Sequence, residues 1–303
     1  MKVANYDAKL ELIADAGCET TEGPLWHEDL RTLFWLDIPA GRLFRYDPEA
    51  KAHDLVYEAD TIGGFTIQAD GKLLLFGARG RIWTWDPESG KTSVVMNEIP
   101  AERGARFNDV IADPEGRVFA GTMPDGDRPG RLYRLDLDGT LTIAIADAGV
   151  SNGMGFTLDL TAMYHTNSAQ RTITRYPYDR ATGSLGGGEV VITIPEGDGV
   201  PDGMAVDVRG DLWSARWDGG ALFHYSPVGT LLGNVPFPAK KVSSLTFAGP
   251  NWRDVYVTCA GGSDKATEGN GAGALFRTSL GVAGRPPFRS RIGPVVGEEE
   301  HKA

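Results

Sequence analysis

The chain has 303 residues, a formal net charge of −11, 40 glycines, 18 prolines and two cysteines. It holds no Lys/Arg cluster that would neutralise phosphates, which excludes nucleic acid and anionic membrane surfaces as expected partners. Cys18 and Cys259 lack CxxC spacing and form no disulfide framework, so they are read as buried thiols.

The opening MKVANYDAKLELIADAG has no apolar h-region, and no run of about 18 apolar residues occurs. A soluble, cytoplasmic protein is therefore expected. The acidity serves solubility and also suits a site that holds a cation. The closing GEEEHKA is expected to be a frayed end.

In chain order, one phrase recurs six times. It reads EGPLWHEDLRTLFWLD from Glu22, GGFTIQADGKLLLFG from Gly63 and NDVIADPEGRVFAGT from Asn108. It continues as NGMGFTLDLTAMYHT from Asn152, DGMAVDVRGDLWSAR from Asp202 and SLTFAGPNWRDVYVT from Ser244. Successive copies begin roughly 40 to 50 positions apart, the period of a four-stranded propeller blade.

Each copy reads as strand, turn, strand, with Asp/Gly/Pro turn chemistry in ADGK, DPEGR, DVRGD and GPNWRD. A third strand follows in RLFRYDP, RIWTWDPESG, RLYRLDLDG, TITRYPYDRATG, ALFHYSPVGT and ALFRTSLG. Fourth strands are expected at HDLVYE, TSVVMNE, LTIAIADA, EVVITI and LLGNVPF. No long window keeps a 3.6-residue period free of Gly and Pro. The expectation is an all-β, six-bladed β-propeller of four-stranded antiparallel blades, with residues 1–303 as one domain.

In a propeller the first strand of each blade lines the central channel. The lead residue, placed just before that strand, is expected at one channel mouth. The six lead slots hold Glu22, Gly63, Asn108, Asn152, Asp202 and Ser244. Asn-Gly and Asp-Gly are ordinary turn dipeptides when met singly. What sets these apart is a shared register. Carboxylates and amides gathered on one axis need compensation, which a divalent cation supplies. Oxygen donors suit Ca²⁺, Mg²⁺ or Mn²⁺ and also admit Zn²⁺.

The stretches EGPLW, LFWLDIPAGRLFRYDP, RFNDVIADPEGRVFAGTM, VSNGMGF, VPDGMAVDVRGDLW and VYVTCA span nearly the whole chain. With them the chain resembles the senescence marker protein/gluconolactonase/luciferin-regenerating family of six-bladed propellers. The resemblance implies that Glu22, Asn152 and Asp202 ligate a single divalent metal, with Ca²⁺ first. It implies Asp202 as catalytic acid/base and Arg106 and Asn108 as substrate contacts. A family Glu that follows GTM has no counterpart in GTMPDGDRPG. The nearest slot is Gly126, which leaves its neighbour Asp125 as the substrate-binding candidate. Asn167-Ser168 stands where the family often has Asp-Ser, a lost charge that bears on metal or hydroxyl recognition.

The implied reaction is hydrolysis of a sugar lactone to the aldonic acid. Arg106 would stabilise developing negative charge, and Asn108 would orient the substrate through a donor and an acceptor. A cation lowers the basicity of a bound carboxylate. Asp202 therefore either holds the attacking water with its second oxygen or relays a proton from a water the cation acidifies. Two alternatives stand beside lactone hydrolysis: promiscuous esterase or phosphotriesterase chemistry on the same metal site, and a non-catalytic metal-binding propeller.

Trp217 is read as either a packing aromatic or a wall of the pocket, and GSLGGGE (183–189) as a hairpin. The histidines show no HxH or HxxxH spacing, and no GxSxG or GxxxxGK[ST] motif occurs. The partner is a small-molecule sugar lactone, and the oligomeric state is left open.

Overall fold

The computed structural model describes residues 4–293; the expected frayed end GEEEHKA lies outside the described residues. The six repeats form six antiparallel sheets arranged as a propeller, and among the described residues helix is confined to two short 3₁₀ turns, Pro100–Glu102 and Lys265–Thr267. The first blade runs through Thr21–His27, Thr32–Asp37, Arg42–Asp47 and Ala52–Glu58. The second runs through Ile62–Ile67, Leu73–Gly77, Ile82–Trp85 and Thr92–Met96. The third comprises Phe107–Ala112, Val118–Thr122, Gly130–Leu135 and Leu141–Gly149.

In the fourth blade, Ser151–Phe156, Ala162–Asn167 and Thr172–Asp179 are followed by Glu189–Thr193, and Ser184–Leu185 pairs with the end of the third strand. The glycine-rich stretch there is thus the expected hairpin. The fifth holds Val200–Val206, Leu212–Trp217, Ala221–Tyr225 and Leu231–Pro236, with Ala4–Asn5 added in parallel at its outer edge. The sixth holds Val242–Ala248, Asp254–Cys259 and Ala274–Thr278.

All five expected outer strands are present. The sixth blade takes its outer strand from the opposite end of the chain. Glu11–Asp15 pairs with Ala274–Thr278 in a register that sets Leu12 opposite Phe276. Beginning and end of the chain therefore share one sheet, and the ring is closed by hydrogen bonds. ELIAD lies before the first repeat, so the repeat register carries no sign of it. Among the described residues no helix is long and apolar enough to cross a membrane.

Six apolar clusters fill the structure, one at each contact between neighbouring blades. Phe34, Leu36 and Leu43 of the first blade meet Phe65, Leu75 and Trp83 of the second, for example. Inner strands are covered on both faces, so Thr32–Asp37, Leu73–Gly77 and Ala162–Asn167 are buried throughout. This explains why LFWL and LLLF read as continuous apolar runs. The outer strand Ala52–Glu58 is mostly exposed.

The structure corrects the expectation that the lead residues stand just before the inner strands. They lie within them, second or third from the start, and each inner strand departs from regular register at that point. The irregularities fall between Glu22 and Leu25, Phe107 and Val110, Asn152 and Met154, and Pro201 and Met204, with equivalents in the other two blades. A bulge re-aims side chains and sharpens local twist. Six bulges at one level turn the lead side chains together at one end of the channel.

The opposite end is crossed by the chain from Val282 to Ile292. Gly284 bridges to Asp207, and Ser290 bridges to Gln68, the residues that follow two inner strands. Between this crossing and the lead residues lies a cavity of about 200 Å³, lined by Phe65, Met154, Phe156, Met204, Phe247 and Phe288 among others.

Crowding at the axis explains why the second lead slot holds glycine. A Cβ on Gly63 would lie 1.9 Å from the Phe107 carbonyl oxygen, and that backbone can move only with the third blade. Gly63→Ala should lower stability by about 1–3 kcal/mol. Gly187→Ala, where nothing lies within 4 Å of the added carbon, should change it by less than about 0.5 kcal/mol. Thermal melts of both variants check this pair.

Candidate active site

Glu22, Asn108, Asn152 and Asp202 are brought together at the lead end of the channel, each only 5% or 6% exposed. Ser244, from the sixth blade, is also buried there. Gly63 contributes no side chain. Neighbouring inner strands touch: a Cβ on Gly153 would lie 2.4 Å from Met204 N and 2.7 Å from the Asp202 carbonyl oxygen. Glycine after Asn152 is thus what lets the fourth and fifth blades bring Asn152 and Asp202 to one point.

A directional hydrogen-bond relay links three blades. Arg106 Nη1 donates to Asn108 Oδ1 at 2.7 Å. Asn108 Nδ2 donates to Asn152 Oδ1 at 2.6 Å and to the Ser151 carbonyl at 2.9 Å. Asn152 Nδ2 donates to Ser168 Oγ at 2.8 Å, and Ser168 Oγ donates to the Pro201 carbonyl at 2.5 Å.

Both ends of the relay at Ser151 and Pro201 are carbonyls, which only accept. Ser168 has a single proton and gives it to Pro201, so toward Asn152 it can only accept. That fixes the Asn152 amide with its nitrogen outward and leaves Oδ1 one lone pair beyond the one used by Asn108. Both Asn108 N–H groups are committed in the same way. The expectation that Asn108 offers a ligand both donor and acceptor narrows to an acceptor, the second lone pair of Oδ1.

The carboxyl groups are held far from their ordinary state. Glu22 is pushed well above the usual carboxylate range by burial first, then by the charges of Asp202 and Asp109. Asp202 is raised by burial and by Asp109, and its carboxyl lies within hydrogen-bonding reach of Glu22. Asp109 is pushed up to about 7 by burial, against the opposing pull of Arg106. Its side chain is half-buried and lines the axial cavity. Loss of hydration lowers the Arg106 pKa, and Glu22, Asp109 and Asp202 pull it back.

If all three carboxyls ionised they would outnumber the Arg106 guanidinium, with only the more distant Arg216 charge added on Asp202. Two carboxylates and an amide oxygen gathered at this end of the channel offer an oxygen-only donor set, the chemistry that hard divalent cations require. These residues fit such an ion, because ionising Glu22 and Asp202 together is otherwise opposed by burial and mutual repulsion.

Arg106 uses Nη1 for the Phe107 carbonyl and Asn108 Oδ1. Among the described residues its other three N–H donors have no protein acceptor, and they remain for a ligand. Asp125 is not in contact with this cluster. It is exposed, exchanges backbone hydrogen bonds with Arg128, and lies against Gly104 in the loop before Arg106. Trp217 lies beneath the Lys241 ammonium, 5.5 Å from the ring centroid.

Asn167 faces away from the cluster: its Oδ1 accepts from Gln170 N at 3.1 Å in a turn, and its amide packs on Gly149. The charge absent at this position is therefore absent from a turn, and its neighbour Ser168 is the residue that bears on the site. Sequence reasoning also missed Asp109. Its signal was present: the slot after the lead residue is Gly23, Gly64, Gly153 and Gly203 in four other blades, and Asp in the third.

Asp207, Asp211 and His224 also place ligand-type atoms within 4.8 Å of one another. Their atoms are already in use. Asp207 accepts from Arg209 N, Asp211 N and Trp213 Nε1. His224 bonds Asp211 through Nε2 and Tyr6 OH through Nδ1. This group ties the N-terminal segment to the fifth blade.

Residues 20–261 match the model of the SMP-30/Gluconolactonase/LRE-like region. The chain is 47% identical over 287 residues to the pentonolactonase XacC of Haloferax volcanii, covering 92% of this chain and 97% of that one. Among solved structures, a luciferin-regenerating enzyme superposes with a TM-score of 0.85 at 28% identity, covering 94% of this chain and all of the other. A calcium-binding regucalcin from Agrobacterium tumefaciens gives 0.84 at 25% identity, over 92% and 96% of the two chains. These similarities and the sixfold architecture agree: the chain belongs to the SMP-30/gluconolactonase/LRE-like family.

Proposed function

We propose that this protein hydrolyses a sugar lactone, a five-carbon aldonolactone first, to the open aldonic acid. It would do so with one divalent cation, Ca²⁺ first, held by Glu22, Asn152 and Asp202. The observation that carries the reading is the buried oxygen cluster, whose carboxyls are held toward neutrality by burial and one another, beside a guanidinium with free donors. The pentonolactonase at 47% identity supports the substrate class, and the calcium-binding relative supports the ion. A cytoplasmic setting fits the two free, buried cysteines.

When bound by Glu22, Asn152 and Asp202, the cation would supply Lewis-acid polarisation of the lactone carbonyl and would keep the carboxylates ionised. Asp202 takes the proton of the attacking water and returns it to the departing ring oxygen. Arg106 donates to the carbonyl oxygen as negative charge develops, then to the product carboxylate. Asn108 accepts from a ring hydroxyl through its remaining lone pair. Asp125, at the loop rim, is the substrate contact this reading places furthest from the reacting atoms.

Asp202→Asn keeps shape and removes the base. Turnover should fall by about 10²–10⁴-fold, measured with cation in excess. Near-normal turnover with the cation bound would refute the role. Ser168→Ala removes the atom that orients Asn152, and cation affinity should fall by about 10–100-fold, read by calorimetry. Restoration of the hydroxyl in Ser168→Thr should recover part of it.

Carboxyls raised toward neutrality bind protons that the cation must displace. Cation binding near pH 6 should therefore release protons, and affinity should rise from pH 5 to 7 as Asp109, at about 7, and its neighbours ionise. Titration in buffers of differing ionisation enthalpy measures that release. A panel of five- and six-carbon aldonolactones and an aryl ester, followed by acid release, tests the substrate class. Preference for the aryl ester would overturn the lactone assignment.

A further inference from the structure

Arg216 ends the buried run of the strand Leu212–Trp217 and is wholly buried, at 0% exposure. Its hydrogen-bond partners are neutral, and the charges of Asp198, Asp202 and Arg171 act on it from further off. Nη1 donates to Ser214 Oγ and to the Ala215 carbonyl, and Nη2 donates to Tyr225 OH at 2.7 Å. The guanidinium carbon also lies 4.8 Å from the centre of the Phe223 ring and 5.5 Å from that of Tyr225. Nε has no acceptor. Among the described residues no carboxylate oxygen comes within 4.0 Å. A buried cation without a counterion is costly, and desolvation dominates the environment of this one.

The guanidinium has five N–H donors and uses three, leaving the Nε–H and one Nη2–H. Nε and one terminal nitrogen make a two-pronged edge that matches the two oxygens of a carboxylate. Arg216 lines a cavity of about 270 Å³ between the fourth and fifth blades. Ile192, Ile194, Phe223 and Leu231 make apolar walls, and the exposed Asp198 shares the lining.

We propose that Arg216 and this inter-blade cavity form a second ligand site, for a small monocarboxylate with an aliphatic tail. The guanidinium edge takes the carboxylate and the apolar walls take the tail. The Arg216 and Arg171 guanidiniums against Asp198 leave one net positive charge, which suits a monoanion better than a dianion such as phosphate. A polyhydroxylated aldonate would strand its hydroxyls against the aliphatic walls. The site is therefore selective against the products of the reaction proposed for the axial centre, and it does not depend on that reaction.

The test is a thermal melt of the full chain titrated with sodium butyrate, with sodium chloride at matched ionic strength as reference. Butyrate should raise the midpoint saturably, and chloride or gluconate should not. Arg216→Met should abolish the butyrate shift. Asp198→Asn, an exposed change that removes the repelling charge, should strengthen butyrate binding severalfold. Should Arg216→Met fold poorly, Tyr225→Phe gives the same comparison, with the shift weakened.

A butyrate response no larger than that of chloride would overturn the proposal, with water alone filling the cavity. So would an equal response in Arg216→Met. Loss of stability in Asp198→Asn with no butyrate effect in the wild type would also overturn it, identifying Asp198 as the counterion. The readout involves no turnover, so its failure would leave lactone hydrolysis untouched.

Discussion

Glu22, Asp109 and Asp202 occupy one protein-enclosed mouth of the propeller axis, with Arg106 as the counter-charge they share. Burial and mutual repulsion oppose their ionisation, and the adjacent Arg106 guanidinium with the more distant Arg216 does not offset all three. Much of the local architecture follows from the need to hold these groups together. The bulges at the lead positions turn their side chains onto the axis. Glycine beside Asn152 lets adjacent strands approach closely enough for groups from different blades to meet. The apolar clusters between blades hold those strands against the repulsion.

Amide side chains have no intrinsic preference for which end faces a ligand. Here the choice is made by two carbonyl groups that can only accept, those of Ser151 and Pro201. From them the donor direction propagates through Ser168, Asn152 and Asn108 to Arg106. The chain fixes the direction of the Asn152 amide and begins at a guanidinium with donors to spare. Under the proposed function, cation and substrate positions would be coupled through this hydrogen-bond polarity, with Ser168 setting both.

The sixfold repeat was legible because each blade repeats the same burial problem: inner strands covered on both faces and turns that demand Asp, Gly or Pro. The oxygen-bearing lead residues stood out for the same reason, since a register makes departures from an apolar or glycine slot visible. Glu11–Asp15 escaped notice because closure uses a strand outside the repeat, whose alternation resembles that of any edge strand. Ser168 was hidden for another reason. Serine is common in turns, and its role depends on which groups it meets rather than on its own position. Asp109 was visible only as an acid in a slot held by glycine in four of the other five blades. The turn role of Asn167 depends on Gly149 and Gln170, contacts that spacing alone does not reveal.

The central claim is that the axial oxygens hold a single divalent cation on which lactone hydrolysis depends. The most direct measurement strips the protein with a chelator, confirms by elemental analysis that it is metal-free, and follows aldonolactone turnover as Ca²⁺ is added back. Turnover absent at the start, rising in step with one bound equivalent per chain and lost with Glu22→Gln, is the result the account predicts. Full turnover by the metal-free protein would contradict it.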